Sequence, residues 1–206
     1  MDDTYKTITG KSEGVYKEKG SKFLAYAFPV TNEEETKEII SQIKKEHHGA
    51  RHHCYAWRIG TEPVASRAND DGEPSSTAGK PILGQLQRFD VTNTLVVVVR
   101  YFGGTLLGTS GLIRAYKSAA EEALAHAEVV TRLIEDTYLL TFGYPLMNEV
   151  MLLVKQEDLN LLSTRFELDC RLRFSVRRSA SRRIEALFQQ LYGVTIERVE
   201  LSDVNN

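Results

Sequence analysis

The chain has 206 residues, 42% of them apolar and 26% charged, with a formal net charge of -2. That is enough apolar material for one large core or two small ones. It excludes bulk disorder and a globally basic nucleic-acid binder, so a polyanionic partner needs a local patch. Two distant cysteines, Cys54 and Cys170, argue against a disulfide framework and for a reducing compartment. The start MDDTYKTITG has no apolar signal-peptide stretch, and no apolar run reaches the ~20 residues of a membrane span. A cytoplasmic protein without membrane association is expected.

GVYKEK (14–19) and KFLAYAFPV (22–30) read as antiparallel strands joined across Gly20. Residues 31–50 read as a helix capped by Thr31 or Asn32, with acids in the first turn and lysines in the last. RHHCYAWRIG (51–60) is a strand. HHGARHHC invites a zinc reading, but strand alternation puts only His52 and Cys54 on one face, and a closed zinc site needs four ligands.

Residues 61–80 read as a long loop rich in Gly, Pro, Ser, Asp and Asn. Within it, Asp70, Asp71 and Glu73 surround Gly72, and Lys80 closes the segment. With His52 these carboxylates are the candidate acid–base or Mg²⁺-holding residues; a solvated turn fits equally well. No metal and no cofactor is expected.

PILGQLQRF (81–89) is a short helix with Pro81 near its start, and 92–102 is an apolar strand buried on both faces. A glycine-rich turn follows, holding Gly103, Gly104, Gly108 and Gly111. An alanine-rich helix then runs from a Thr109 or Ser110 cap to about His126. The glycines either only permit the turn or bring backbone N–H groups to a phosphate at the helix start, with Arg100, Arg114 and Lys117 as mobile positive charge. The spacing matches no known phosphate fingerprint.

The second half reads as strand 135–144, helix 145–158 opening on Pro145, strands over 161–178, a capped amphipathic helix 179–193 and strand 194–201. This βαββαβ order is ferredoxin-like, which makes the chain an α+β protein with domains 1–130 and 131–206. Seven arginines crowd 165–183. Alternation turns Arg171, Arg173 and Arg177 away from the helices, either toward RNA or toward Glu167, Asp169, Glu197 or Glu200 on neighbouring strands.

SKFLA, ARHHCYAW, DDGEPSSTAGKPIL, VVVVRYFGGTLLG and GTSGLIRAY together resemble the IMPACT family, in particular its bacterial YigZ-type members. The matched positions are His52, Cys54, Ala56, Asp70, Asp71, Gly72, Glu73, Gly79, Lys80, Arg100, Tyr101, Gly103, Gly104, Leu107 and Gly108; Ser76 is a small departure. The resemblance implies a first domain like the second domain of ribosomal small-subunit protein five, with a left-handed βαβ arrangement, and a second like the C-terminal domain of elongation factor G. It implies a translation-linked protein that binds RNA, the ribosome or a translation-linked protein partner. The kinase-countering role of eukaryotic members, tied to an additional N-terminal domain, does not carry over. Loop 70–80 and turn 103–111 are expected to line one cleft. The alternatives are a hydrolase or phosphotransfer enzyme using that loop, or a protein–protein adaptor; oligomeric state is left open.

Overall fold

The computed structural model describes residues 3–199. In chain order the elements are β1 (Thr4–Ile8), β2 (Ser12–Glu18), β3 (Ser21–Pro29), α1 (Glu33–Glu46), β4 (His52–Ile59), β5 (Ala65–Asn69), α2 (Gly79–Arg88), β6 (Thr94–Tyr101), α3 (Gly108–Ala125), β7 (Val129–Leu133), β8 (Glu135–Phe142), α4 (Met147–Gln156), β9 (Asn160–Phe166), β10 (Cys170–Arg177), α5 (Arg178–Gln189) and β11 (Val194–Val199). They form two compact units. One is Tyr5–Arg132; among the described residues, the other comprises 3–4 and 133–199.

The larger unit is built on a five-stranded sheet of order β2-β3-β6-β4-β5, antiparallel at every pairing. Strand alternation serves two cores at once. Phe23, Ala25, Ala27, Cys54, Ala56, Val96 and Val98 face α2 and α3. Leu95, Val97, Val99 and Trp57 face α1 on the opposite side. A continuous apolar run in β6 therefore makes sense, because both its faces are covered. The small residues of β3 and β4 meet Ala115, Ala119, Ala120 and Ala123 of α3, so helix and sheet approach closely. A methyl on Gly14 would lie 2.4 Å from the Ala123 nitrogen.

Several boundaries differ from expectation. The loop after β4 contains an edge strand, β5, hydrogen-bonded to β4 despite its polar sequence. β1 and β7 pair as a separate two-stranded sheet. Asn32 caps α1, accepting the Glu35 N–H at 2.9 Å. α3 begins at Gly108 on a Leu107 cap with no side-chain bond, so Thr109 and Ser110 lie inside its first turn instead of capping it. Pro145 sits in a 3₁₀ turn ahead of α4.

The smaller unit is a four-stranded antiparallel sheet of order β11-β8-β10-β9. This is the ferredoxin-like order. Leu140, Leu172 and Phe174 pack on Val150, Val154, Ile184 and Phe188 from the two helices. Positions 200 and 201 of the expected last strand, and Glu200 as an arginine partner, lie outside the described residues.

The expected cap of α5 is supplied from far away in sequence. Its N-cap position, Arg177, makes no side-chain cap bond. Asp3 instead accepts the Ser179 hydroxyl at 2.6 Å and the Ser179 N–H at 3.3 Å, and it pairs with Arg177 at 2.9 Å. A carboxylate is favoured there because the first-turn amides carry partial positive charge. The Ser179 hydroxyl, with Arg177 and against a partial desolvation cost, holds the Asp3 carboxyl at about 2, below its ordinary 3.8.

Three outcomes are expected. Gly14→Ala forces α3 off the sheet and costs about 1–3 kcal/mol in urea denaturation. Gly84→Ala, inside α2 with nothing within 4 Å of the new methyl, stabilises by about 0.5–1 kcal/mol. The Asp3 contribution is present above pH 3.8 and lost as pH falls toward 2. Thermal melts between those values should show wild type losing more stability than Asp3→Asn.

Candidate functional site

β6, the central strand, ends on Arg100 and Tyr101, and the chain then turns through Phe102–Leu107 into α3. The glycines of this turn have different reasons. Gly104 (φ +87) and Gly108 (φ +70) sit in open space and supply left-handed backbone. Gly103 is there for close approach: a methyl would fall 1.9 Å from the Gly20 carbonyl carbon, and its N–H donates to the Ser21 Oγ at 3.1 Å. Gly111 is buried in the helix against Leu107. The result is an 18-residue helix whose first residues, Gly108, Thr109 and Ser110, are exposed and have no side-chain cap. Unpaired N–H groups there carry the positive end of the helix dipole.

Sequence reasoning missed the neighbour of this turn. Because Gly103 rests on Gly20, the tip of the β2–β3 hairpin stands beside it, and exposed Lys17, Lys19 and Lys22 come with it. The run KEKGSK is visible in the sequence; its contact with a turn some 80 residues later is not.

The expected mobile cations behave differently from one another. Arg100 is 7% exposed, and its guanidinium donates to the Glu73 Oε1 at 2.7 Å. The Tyr116 hydroxyl donates to the same oxygen at 2.7 Å. Burial requires that pairing, so Arg100 is a fixed structural charge and not a mobile one. Its Nε is buried with no partner among the described residues. Arg114 is exposed and paired with Glu18. Lys117 and Lys80 are exposed.

Each loop carboxylate has its own occupation. Asp70 accepts N–H bonds from Ser76, Ala78 and Gly79 at 2.8–3.1 Å, which closes the loop and caps α2. Burial pushes its pKa up, and those three amides more than reverse the effect, leaving it below the ordinary value. Asp71 accepts the His53 N–H at 2.8 Å and Lys44 Nζ at 3.0 Å; here too burial is outweighed, and the carboxyl lies low. Glu73 is consumed by Arg100 and Tyr116. The Cys54 thiol donates to the Asp70 carbonyl at 3.0 Å, and burial pushes its pKa far up, away from thiolate chemistry. The His52 Nδ1 lies 3.0 Å from the Asp71 carbonyl, which can only accept, so that nitrogen carries hydrogen.

A cleft of about 620 Å³ opens here, lined by Gly49–His52, Arg100, Tyr101, Phe102 and Leu106. Its second wall is thus the α1–β4 connection. The expected wall, loop 70–80, contributes no lining residue; it bonds to two residues that do, His52 through the Asp71 carbonyl and Arg100 through Glu73. On the smaller unit, Arg171 and Arg177 are exposed and Arg173 is half-buried. Arg177 belongs to Asp3, and Arg165 pairs with Glu167 at 2.9 Å.

Residues 19–124 match the Impact N-terminal domain model. The IMPACT family member of Haemophilus influenzae is 35% identical over 89% of this chain and 90% of its own length. Escherichia coli YigZ is 34% identical over 77% and 78%. Bacillus subtilis YvyE is 47% identical over 54% of this chain, a match spanning only 52% of that relative. A crystal structure described as that of a hypothetical protein superposes with a TM-score of 0.71 at 28% identity, covering 98% of this chain and all of the other.

Glu73→Gln should leave a buried guanidinium without its counter-charge and cost about 3–5 kcal/mol. Urea denaturation followed by tyrosine and tryptophan fluorescence reads it; a loss below 1 kcal/mol would remove the pair from its structural role.

Proposed function

Because the chain belongs to the IMPACT family, we propose that it works in translation regulation as a nucleic-acid or ribosome-associated protein that grips phosphate at the start of α3. The observation that carries this reading is the exposed, uncapped first turn of α3 set against the lysine-bearing β2–β3 tip. Helix N-termini receive phosphate oxygens through free amides, and lysines add sequence-independent attraction. Gly103, Gly104, Gly108 and Gly111 shape the turn; Lys17, Lys19 and Lys22 stand on the adjoining hairpin tip, where Arg114 pairs with Glu18, and Lys80 and Lys117 are exposed on the same unit. Exposed Arg171 offers further cationic surface on the ferredoxin-like sheet. The net charge of -2 confines binding to such patches.

The enzymatic alternative draws less support. His52, Asp70, Asp71 and Glu73 hold backbone groups, a lysine or a buried arginine, and their hydrogen bonds account for their placement without a substrate.

Filter binding of ribosomal RNA and of ribosomes between 50 and 200 mM salt tests the proposal. Retention should fall steeply with salt, and the double variant Lys19→Glu/Lys22→Glu should lower the log–log slope by about 2, roughly one per lysine. Absence of retention at 50 mM for both probes would overturn it.

A further inference from the structure

We infer that the cleft beside the glycine turn is a nucleobase pocket, so that the ligand is a single-stranded polynucleotide with at least one unstacked base. This rests on the phosphate-directed reading and narrows its ligand class. Phe102 is 57% exposed and Leu106 82% exposed at the mouth of the cleft, whereas Leu107 of the same turn is buried. Such exposure is unfavourable without a partner.

The aromatic wall is held firmly. The Arg100 guanidinium lies 5.7 Å from the Phe102 ring centroid and is itself pinned by Glu73. The Tyr101 hydroxyl is 2.9 Å from the His47 Nδ1, while the other ring nitrogen of His47 is 2.9 Å from the Tyr26 hydroxyl. Rigid aromatic faces lose little freedom on stacking a base, and every base offers a π-face. Polar recognition comes from His52. With its Nδ1 hydrogen given to the Asp71 carbonyl, its Nε2 has no partner among the described residues, and in the tautomer that carries only the Nδ1 hydrogen it is an acceptor. That suits the exocyclic amine of adenine or cytosine.

Charge decides the class of occupant. Exposed Arg51 lies on the cleft wall, and the Lys17–Lys22 tip and open α3 start adjoin the turn that carries Phe102. Aromatic surface ringed by cations and free amides fits a base with its flanking phosphates. A volume of about 620 Å³ accommodates a nucleoside. Bases within a duplex are stacked and paired, so only an unpaired strand can place one there.

Fluorescence anisotropy on the full chain tests this with three 12-residue single strands, oligo(A) RNA, the matching DNA and an abasic oligomer, and with an RNA duplex shortened to match their total phosphate charge. The RNA single strand should bind at least about 5-fold tighter than the abasic and duplex probes. The DNA arm shows whether the 2′-hydroxyl contributes. Phe102→Ala should cut single-strand affinity about 5- to 100-fold with an unchanged salt slope, and Phe102→Trp should restore it. Equal binding of all four probes, unaffected by Phe102→Ala, overturns the pocket and leaves the phosphate reading standing. Absence of binding by every probe and by ribosomal RNA at 50 mM salt overturns both. A nuclease-resistant protein partner lost in Phe102→Ala, with no oligonucleotide bound, reassigns the cleft to protein docking.

Discussion

One buried ion pair organises the larger unit. Arg100 at the end of the central strand reaches Glu73 on the loop after β5, and Tyr116 of α3 closes on the same oxygen. Three segments distant in sequence are thereby fixed at one point. Neither charge tolerates burial alone, so the loop cannot leave without exposing the arginine, nor can α3 shift without abandoning a buried hydroxyl. The position of the glycine turn, directly after Arg100, follows from this lock. So does the ring of Phe102, which rests against the locked guanidinium.

The loop from 70 to 79 shows how much internal bonding a polar segment can hold. Its carboxylates close around amides at Ser76, Ala78, Gly79 and His53, replacing the solvation they lose. Left-handed backbone at Asp71, Gly72 and Ser76 makes these returns possible. A segment that looks like catalytic equipment by composition is, in three dimensions, a brace for the strand ends that border the cleft.

Much of this architecture was legible from the residues alone. The apolar run of β6 announced a strand covered on both faces, and the alanines of α3 announced close packing. The βαββαβ rhythm of the second half announced the ferredoxin-like order. What could not be read were features decided by tertiary contact. β5 is polar and forms only because β4 offers an edge. The α3 start lies ahead of Thr109, at a left-handed Gly108. Arginine character predicted a mobile charge at 100, yet burial, which sequence spacing does not report, made it a structural one. The lysines beside Gly103 were in plain view, but only a glycine–glycine contact across the sheet edge assigns them to the turn.

The Asp3 link to α5 spans 176 positions and closes the smaller unit with residues from the opposite end of the chain. On a translating ribosome Asp3 emerges long before Ser179, which donates to it. The ferredoxin-like fold therefore cannot reach its final hydrogen-bonded state while synthesis proceeds through the larger unit. A fusion partner joined ahead of residue 3 would burden the smaller unit, although in sequence it adjoins the larger one.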